Sequence, residues 1–183
     1  MIFLLKVLYS GSVTYLDEKN NVFVAPSSSC TYIETSENKI IVDTSSKDKK
    51  KIIISNLNKL DVKLKEIDYI ISSHNHNNHN GNNGLFRNAE IVKYSDGSIN
   101  DFKDPEVEIM WTPGHTFDSI SVIHGDYVVA PAAVHLKKNI LQNYDIPIAI
   151  DLEISKKSIQ RIVALKKHVI TGHDGILYVS EYL

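Results

Sequence analysis

The chain has 183 residues, enough for one domain that buries about two-thirds of its unfolded surface, and we expect a single domain over residues 1–183. Its 20 basic and 22 acidic residues give a formal net charge of −2, which excludes a general attraction to nucleic acid. The one cysteine, Cys30, excludes an intramolecular disulfide and a cysteine-rich zinc site, so any metal must be held by histidine and oxygen. No apolar stretch approaches the ~20 residues of a membrane helix, and we therefore expect a soluble cytoplasmic protein without membrane contact.

The first 45 residues predict a meander of antiparallel strands. Apolar or alternating runs at 2–9, 22–24, 31–34 and 40–42 are separated by turn-forming residues. Residues 48–60 then predict a helix, because Ile52, Ile53, Leu57 and Leu60 recur at helical spacing opposite a lysine-rich face. The run from Lys49 to Lys51 is typical of a solvated helix face, and a phosphate site is the alternative interpretation.

The second half of the chain predicts further strands and one more helix. Strands are expected at 67–71, 90–94, 107–111, 119–124, 127–130, 168–171 and 176–179. Residues 131–150 predict a loop with room for one helical turn, and Ser155 is the expected N-cap of a helix over 156–167. This order predicts two sheets with outer helices.

Three histidines lie within six positions directly after the predicted strand 67–71. His74, His76 and His79 occupy a polar, Gly-containing loop, where imidazoles can converge on one ion without following a helical or strand period. Solvated histidines in an Asn-rich loop are the alternative. His115, in a Pro-Gly turn, and His173 follow two other predicted strands, so all five histidines are expected at strand ends.

Several other side chains are expected near this loop. Asp43 lies at a strand exit, where it either caps the next helix or hydrogen-bonds to a metal-binding histidine. Tyr144 lies in the loop expected to cross near the site. Trp111 and Phe117 flank His115 and are expected to pack in the core beneath it.

This pattern resembles the metallo-β-lactamase-fold hydrolases over nearly the whole chain. Their hallmark His-x-His-x-Asp-His is matched by residues 74–79, preceded by Val42-Asp43-Thr44 and followed by Pro113-Gly114-His115-Thr116 and Thr171-Gly172-His173. The resemblance implies an α/β (α+β) fold, namely a four-layer αββα sandwich. It also implies a metal site, commonly of two zinc ions, at one edge of the paired sheets.

Two positions depart from the pattern of that family. Asn78 stands where the family has the aspartate of its loop motif, and Ala132 stands where it has a metal-bridging aspartate. Both departures fall on the second metal position. His135 lies three residues beyond Ala132 and could fill the vacancy, although a histidine after an apolar run is more often a surface or packed side chain.

The resemblance assigns the metal ligands residue by residue. His74, His76 and His115 would hold one ion, while His79 and His173 remain for a second position that we expect to be weak or empty. Zinc is the expected metal, with one ion favoured over two, and iron or manganese also accept such ligands.

The expected function is hydrolysis of a small ester, thioester or phosphodiester by a metal-bound hydroxide, with His79 or His173 as a proton carrier. Asn78 is expected to orient His79 or a water molecule. One alternative is a catalytically impaired binding protein of the same fold. Another is a metal-dependent nuclease, which is less favoured because the chain has no aromatic-basic cluster. The sequence specifies neither the substrate nor the oligomeric state.

Overall fold

The structure is a computed structural model that describes residues 4–17, 19–20, 22–146 and 148–183. The predicted strand positions 2 and 3 lie outside the described residues. The ten described strands are β1 (Leu4–Asp17), β2 (Val22–Glu34), β3 (Lys39–Val42), β4 (Tyr69–Ile71), β5 (Glu90–Val92), β6 (Glu108–Trp111), β7 (Ile120–His124), β8 (Tyr127–Val129), β9 (His168–Ile170) and β10 (Ile176–Leu177). The α-helices are α1 (Lys50–Asn58), α2 (Asn77–Asn80), α3 (Lys138–Leu141) and α4 (Leu152–Ala164).

Two five-stranded sheets of mixed direction form the centre of the fold. The first has the order β1-β2-β3-β4-β5, with β3, β4 and β5 parallel and the predicted antiparallel meander over β1 to β3. The second has the order β10-β9-β8-β7-β6, in which β8 and β9 are parallel. Each sheet therefore contains parallel neighbours whose carboxyl ends meet at one edge.

Three buried apolar clusters define four layers. Between the sheets, side chains such as Ile33 and Ile71 pack against Ile120 and Ile170. Ile53 and Leu57 of α1 pack on the outer face of the first sheet, and Ile162 of α4 packs on the outer face of the second. The predicted αββα sandwich is confirmed, because each amphipathic helix buries its apolar side on a sheet face.

The first strand is longer than predicted. The predicted run at 2–9 was expected to end in turn-forming residues, but β1 continues to Asp17 and pairs with β2 in a long hairpin. The register of this hairpin shifts between Val7 and Tyr9 and between Ser12 and Thr14. Gly11 allows this with φ +81°, and a Cβ there would lie 2.3 Å from the carbonyl oxygen of Gly172. Gly11 therefore gives the strand a left-handed residue and a close backbone approach instead of a turn, and the register shifts lie on either side of it.

The second long helix begins earlier than predicted. Asp151, and not Ser155, is its N-cap, because the Asp151 carboxylate accepts a hydrogen bond from the amide of Ile154 at 2.9 Å. The predicted helical turn within 131–150 is present as α3. In α1, Ile52 is exposed, so only part of the predicted apolar set reaches the core. No helix among the described residues is long and apolar enough to cross a bilayer.

The expectation that Trp111 and Phe117 pack in the core was wrong. Trp111 is 45% exposed and Phe117 is 58% exposed. The indole ring of Trp111 stacks on Tyr94, with centroids 5.5 Å apart, and its Nε1 donates to the carbonyl of Phe117 at 2.7 Å. Trp111 is the last residue of β6, which is the edge strand of its sheet, so its side chain lies at the rim of the sandwich and not in the core.

Candidate metal centre

The predicted site residues lie where the parallel strands of both sheets end. Asp43 follows β3 and the loop of His74 follows the adjacent parallel strand β4, while His173 follows β9, the parallel neighbour of β8. Backbone hydrogen bonds tie the two edges together, from Ser29 to Gly172 at 2.6 Å and from Ile120 to the carbonyl of Ser73 at 2.9 Å. Side chains far apart in sequence therefore share one edge of the sandwich.

Two glycines allow the histidine-bearing loops to approach their neighbours. Gly114, directly before His115, has φ +138°, and a Cβ there would lie 2.3 Å from Cα of Ser155. Gly172, directly before His173, would place a Cβ 2.4 Å from the carbonyl oxygen of Pro131. Side chains at either position would push a histidine loop away from its support.

Three imidazoles converge on one point. Ligand nitrogens of His74, His76 and His115 all lie within 4.8 Å of one another. Nδ1 of His76 is 2.9 Å from Nε2 of His74 and 3.2 Å from Nε2 of His115. Nitrogens that bind one zinc at 2.0–2.1 Å in a tetrahedron are about 3.3 Å apart. The three side chains thus fit a three-nitrogen metal site with an open fourth position.

A buried hydrogen-bond chain beneath these rings fixes the proton of His74. The Asp43 carboxylate accepts from the amide of Ser73 at 2.7 Å and from its hydroxyl at 2.7 Å. Since that hydroxyl proton is used on Asp43, the 3.0 Å contact between Ser73 Oγ and Nδ1 of His74 is a bond donated by the imidazole. Nε2 of His74 is therefore left with its lone pair toward the cluster.

The same carboxylate sets the proton of His79. Nδ1 of His79 donates to Oδ2 of Asp43 at 2.6 Å, which leaves Nε2 as the unprotonated nitrogen. The Asp43 interpretation as a helix cap is wrong, because Ser46 flanks the next helical turn and Asp43 is fully buried against Ser73 and His79. One carboxylate therefore supports both histidines.

His173 is oriented by the backbone of the long hairpin. Its Nδ1 donates to the carbonyl oxygen of Ser27 at 2.9 Å, because a carbonyl can only accept, so its Nε2 carries the lone pair. The rings of His173 and His79 are edge to face, with centroids 5.5 Å apart. Five predicted histidines are thus brought to one edge, two of them outside the three-nitrogen set.

Burial keeps these imidazoles neutral. It lowers the pKa of His74 and His79 well below the usual value, with neighbouring imidazoles acting in the same direction. Burial also lowers the pKa of His115 to about 4. The pKa of Asp43 is raised to about 7 by burial, against the opposing effect of the two Ser73 hydrogen bonds. Neutral imidazole is the form that binds metals, so the cluster is prepared for a cation near neutral pH.

The two predicted departures have different surroundings. Asn78 lines the pocket beside the histidines, but its amide donates to the carbonyl of Ala25 at 3.0 Å. The expectation that Asn78 orients His79 does not agree with these contacts, since Asp43 performs that task. Ala132 is fully buried and brings only a methyl group.

His135 lies beside the cluster. It is buried, with its ring 4.5 Å from that of His115 and 5.6 Å from that of His173, so a surface position is excluded, while a packed side chain and a metal ligand both agree with its place. Its position depends on pairing between the chain after β8 and the chain after β9, where the amide of His173 donates to the carbonyl of His135 at 2.9 Å. In the sequence, the signal that His135 lies near the second metal position was its place three residues after Ala132.

A pocket of about 570 Å³ opens above the cluster. Imidazoles form its floor, and the hairpin of β1 and β2 forms an apolar wall with Val22, Phe23 and Val24. As predicted, Tyr144 reaches the pocket. It also contacts the ammonium group of Lys138, which lies 3.9 Å from its ring centroid. The remaining lining residues are Asn20, Ala25, His76, Asn78, His79, His115, His135, Ile148 and His173.

The sequence of this chain matches the model of a protein family and the sequence of a related protein. The family model of the metallo-beta-lactamase superfamily matches residues 24–95. A probable metallo-hydrolase of Methanocaldococcus jannaschii is 43% identical over 152 residues, which cover 79% of this chain and 75% of the relative. The matched family region includes the loop with His74, His76 and His79.

Solved structures with the same fold extend this comparison. A probable metal-dependent hydrolase from Staphylococcus aureus superposes with a TM-score of 0.74 at 15% identity, covering 98% of this chain and 93% of the other. An N-acyl homoserine lactone hydrolase, solved with the product N-hexanoyl-L-homoserine at its catalytic metal centre, superposes with a TM-score of 0.70 at 20% identity. That match covers 93% of this chain and 92% of the other, and at these identities it establishes the fold alone.

Proposed function

Because this chain belongs to the metallo-β-lactamase superfamily and is a metallo-hydrolase of that superfamily, we propose that it cleaves a small ester, thioester or lactone at the three-histidine centre. The observation that carries the proposal is the convergence of His74, His76 and His115, whose ligand nitrogens match the spacing of a zinc site. We propose zinc as the metal, with one ion held firmly at these three ligands.

The chemistry of the donor set supports this choice of metal. Neutral imidazole suits zinc, whereas magnesium and calcium prefer oxygen ligands that these three side chains do not provide. A divalent ion held there would lower the pKa of a bound water to about 7 and polarise the carbonyl oxygen of a substrate. The buried Asp43 and Ser73 hold His74 in the tautomer that binds a cation.

The remaining imidazoles provide for proton transfer. In the one-ion form, Nε2 of His79 faces the pocket with a lone pair and its Nδ1 proton is held by Asp43. This arrangement lets His79 accept a proton at Nε2 while the carboxylate stabilises the imidazolium that forms. His173 has the same orientation of its nitrogens, with the carbonyl of Ser27 in place of a carboxylate, and is the weaker base of the two.

The pocket wall favours a substrate with an apolar group beside the bond that is cleaved. Val22, Phe23, Val24 and Ile148 are close enough to the imidazoles to contact such a group, and burying it would contribute about 25 cal/mol per Å². This favours an ester, thioester or lactone with an apolar acyl part over a phosphodiester. The lactone hydrolase named above, with its acylated product at the metal centre, supports the same substrate class.

We also propose a cytoplasmic location. Cys30 is buried as a free thiol, and burial raises its pKa, which suits a reducing compartment in which thiols stay unpaired.

The proposal is tested by metal analysis followed by activity. Protein purified without added metal is expected to contain or take up at least one zinc per chain and to hydrolyse acyl esters, thioesters or lactones only when loaded. His76→Ala should lose this ion and the activity. His168→Ala removes an imidazole outside the cluster, so it should retain both. A zinc content near zero that supplementation does not raise would contradict the proposal.

A further inference from the structure

Five imidazoles form a closed ring beneath the pocket. The distances between neighbouring ring centroids are 4.2 Å for His74–His79, 5.5 Å for His79–His173, 5.6 Å for His173–His135, 4.5 Å for His135–His115 and 4.8 Å for His115–His74. The proposed first ion uses one side of this ring. The opposite side, formed by His79, His173 and His135, is a separate group of nitrogens.

The nitrogen at the centre of this second group has no assigned role in the proposed reaction. His135 is 4% exposed, its Nε2 is inaccessible to solvent, and nothing among the described residues forms a hydrogen bond with it. A buried polar atom without a hydrogen bond costs about 1–3 kcal/mol of folding stability, and a metal ion bound at Nε2 would offset that cost. The backbone at His135 is held next to His173, because the amide of His173 donates to the carbonyl of His135.

The ring spacing of this second group is close to that of a metal site. Two imidazoles that share a zinc at 2.0–2.1 Å in tetrahedral geometry have ring centroids about 5 Å apart. The centroids of His79 and His173 are 5.5 Å apart and those of His135 and His173 are 5.6 Å apart. His79 and His173 already direct unprotonated Nε2 atoms away from Asp43 and Ser27. The ligand nitrogens of this group do not all lie within 4.8 Å of one another, as those of the first group do, so its rings must move closer together to bind one ion.

We propose that His135 is a metal ligand and that it completes, with His79 and His173, a second position made only of imidazole nitrogens. The proposal rests on the hydrolase function given above, since the first ion occupies the other side of the same ring. Neutral nitrogen ligands suit Zn²⁺, Co²⁺, Ni²⁺ and Cu²⁺ better than Mg²⁺ or Mn²⁺, which prefer oxygen ligands. Without a carboxylate ligand, only the Asp43 carboxylate beneath the rings offsets the repulsion between two dications, so the second ion binds at least tenfold more weakly than the first.

The test uses Co²⁺ titration of the metal-free full chain, followed by its visible absorption and by metal analysis of the dialysed protein. The wild-type chain is expected to bind two Co²⁺ in two steps, and Mn²⁺ should not displace the second. His135→Ala should bind one, with the second step weakened 10- to 100-fold. One retained ion also shows that the variant has folded, and circular dichroism provides an independent check.

A cysteine variant gives a direct signature of coordination. His135→Cys should produce an intense near-ultraviolet thiolate-to-cobalt charge-transfer band as the second ion binds. The wild-type chain contains only the buried Cys30 and serves as the baseline. His124→Cys replaces an equally buried histidine outside the ring and should give no such band.

The outcomes separate this proposal from the proposed function. One ion in both the wild type and His135→Ala, or two in both at unchanged affinity, overturns the role of His135 and leaves the hydrolase proposal intact. The absence of the charge-transfer band in a folded His135→Cys chain that binds two ions also overturns it. No bound ion in any chain overturns both proposals.

Discussion

Acidification of the metal-free protein should lower its stability. The perturbation is a change from pH 8 to pH 5 with a chelator present, a range in which ordinary carboxylates stay largely ionised. Burial lowers the pKa of His115 to about 4 in the folded chain, against 6.5 when it is unfolded. Because the pKa is lower in the folded chain, there is a pH range in which His115 is protonated in the unfolded chain but neutral in the folded chain. Stability is therefore lost as the pH falls below about 6.5.

The magnitude follows from these values. For His115, the free energy of unfolding falls by about 2 kcal/mol between pH 8 and pH 5. Asp43 acts in the opposite direction, because its pKa is raised to about 7, and its protonation in the folded chain contributes about 2–3 kcal/mol of stability over the same range. His74, His79 and His135 have depressed pKa values as well, so each adds a loss to that of His115. Four histidines thus act against one carboxylate, and the net effect is a loss of stability toward pH 5.

Urea unfolding at pH 8, 7, 6 and 5, followed by circular dichroism, measures this effect. The midpoint should fall steadily below pH 6.5, and His115→Gln should show a loss that is smaller by about 2 kcal/mol. A free energy of unfolding that is constant or rises toward pH 5 would refute the argument that buried neutral imidazoles dominate the site.

Three further predictions concern single substitutions around the centre. Asp43→Asn removes the negative charge beneath two imidazoles, while asparagine tolerates the backbone φ of 52° at this position. The zinc affinity, measured against a competing chelator, should fall 10- to 100-fold. An unchanged zinc affinity would argue against the supporting role of Asp43. Gly114→Ala places a Cβ 2.3 Å from Cα of Ser155 and should lower the free energy of unfolding in urea by more than ~2 kcal/mol. Gly125→Ala, at φ +54° with open space around it, is the matched control and should cost only about 1 kcal/mol. Asn78→Asp adds a carboxylate to the pocket wall, so the affinity for a second Co²⁺, measured by calorimetry, should rise at least tenfold. Weaker binding of the second Co²⁺ would show that position 78 does not face that ion.

The convergence of His74, His76 and His115 was predictable because its signals are local. A buried strand followed by a polar loop with alternating histidines, and a Pro-Gly turn after another strand, each mark a strand exit in the sequence. The resemblance to a known hydrolase fold then supplied the long-range pairing. No period or motif within a single segment could have supplied it.

The place of His135 could not be predicted from its own segment. Residues 131–150 have no regular period, and the location of His135 is set by parallel pairing of β8 with β9, which are separated by more than thirty residues. The extension of β1 past Gly11 has a similar cause. A positive φ at a glycine is equally suited to a turn and to an irregular point within a strand, and the close approach of Gly172 to Gly11 favours the second.

The backbone around Asp43 explains why one carboxylate can support both halves of the imidazole ring. Asp43 and Ser45 both have left-handed backbone conformations, with φ of 52° and 58°, directly after β3. Such conformations in residues other than glycine cost of order 1 kcal/mol each and persist only where surrounding contacts compensate. Here the turn directs the carboxylate between Ser73 and His79, where it accepts three hydrogen bonds. Those bonds leave Nε2 of His74 free for the first ion and Nε2 of the neighbouring His79 free for the proposed second ion. The turn at Asp43 therefore orients one ligand of each metal position, and a change at this residue should weaken both ions together.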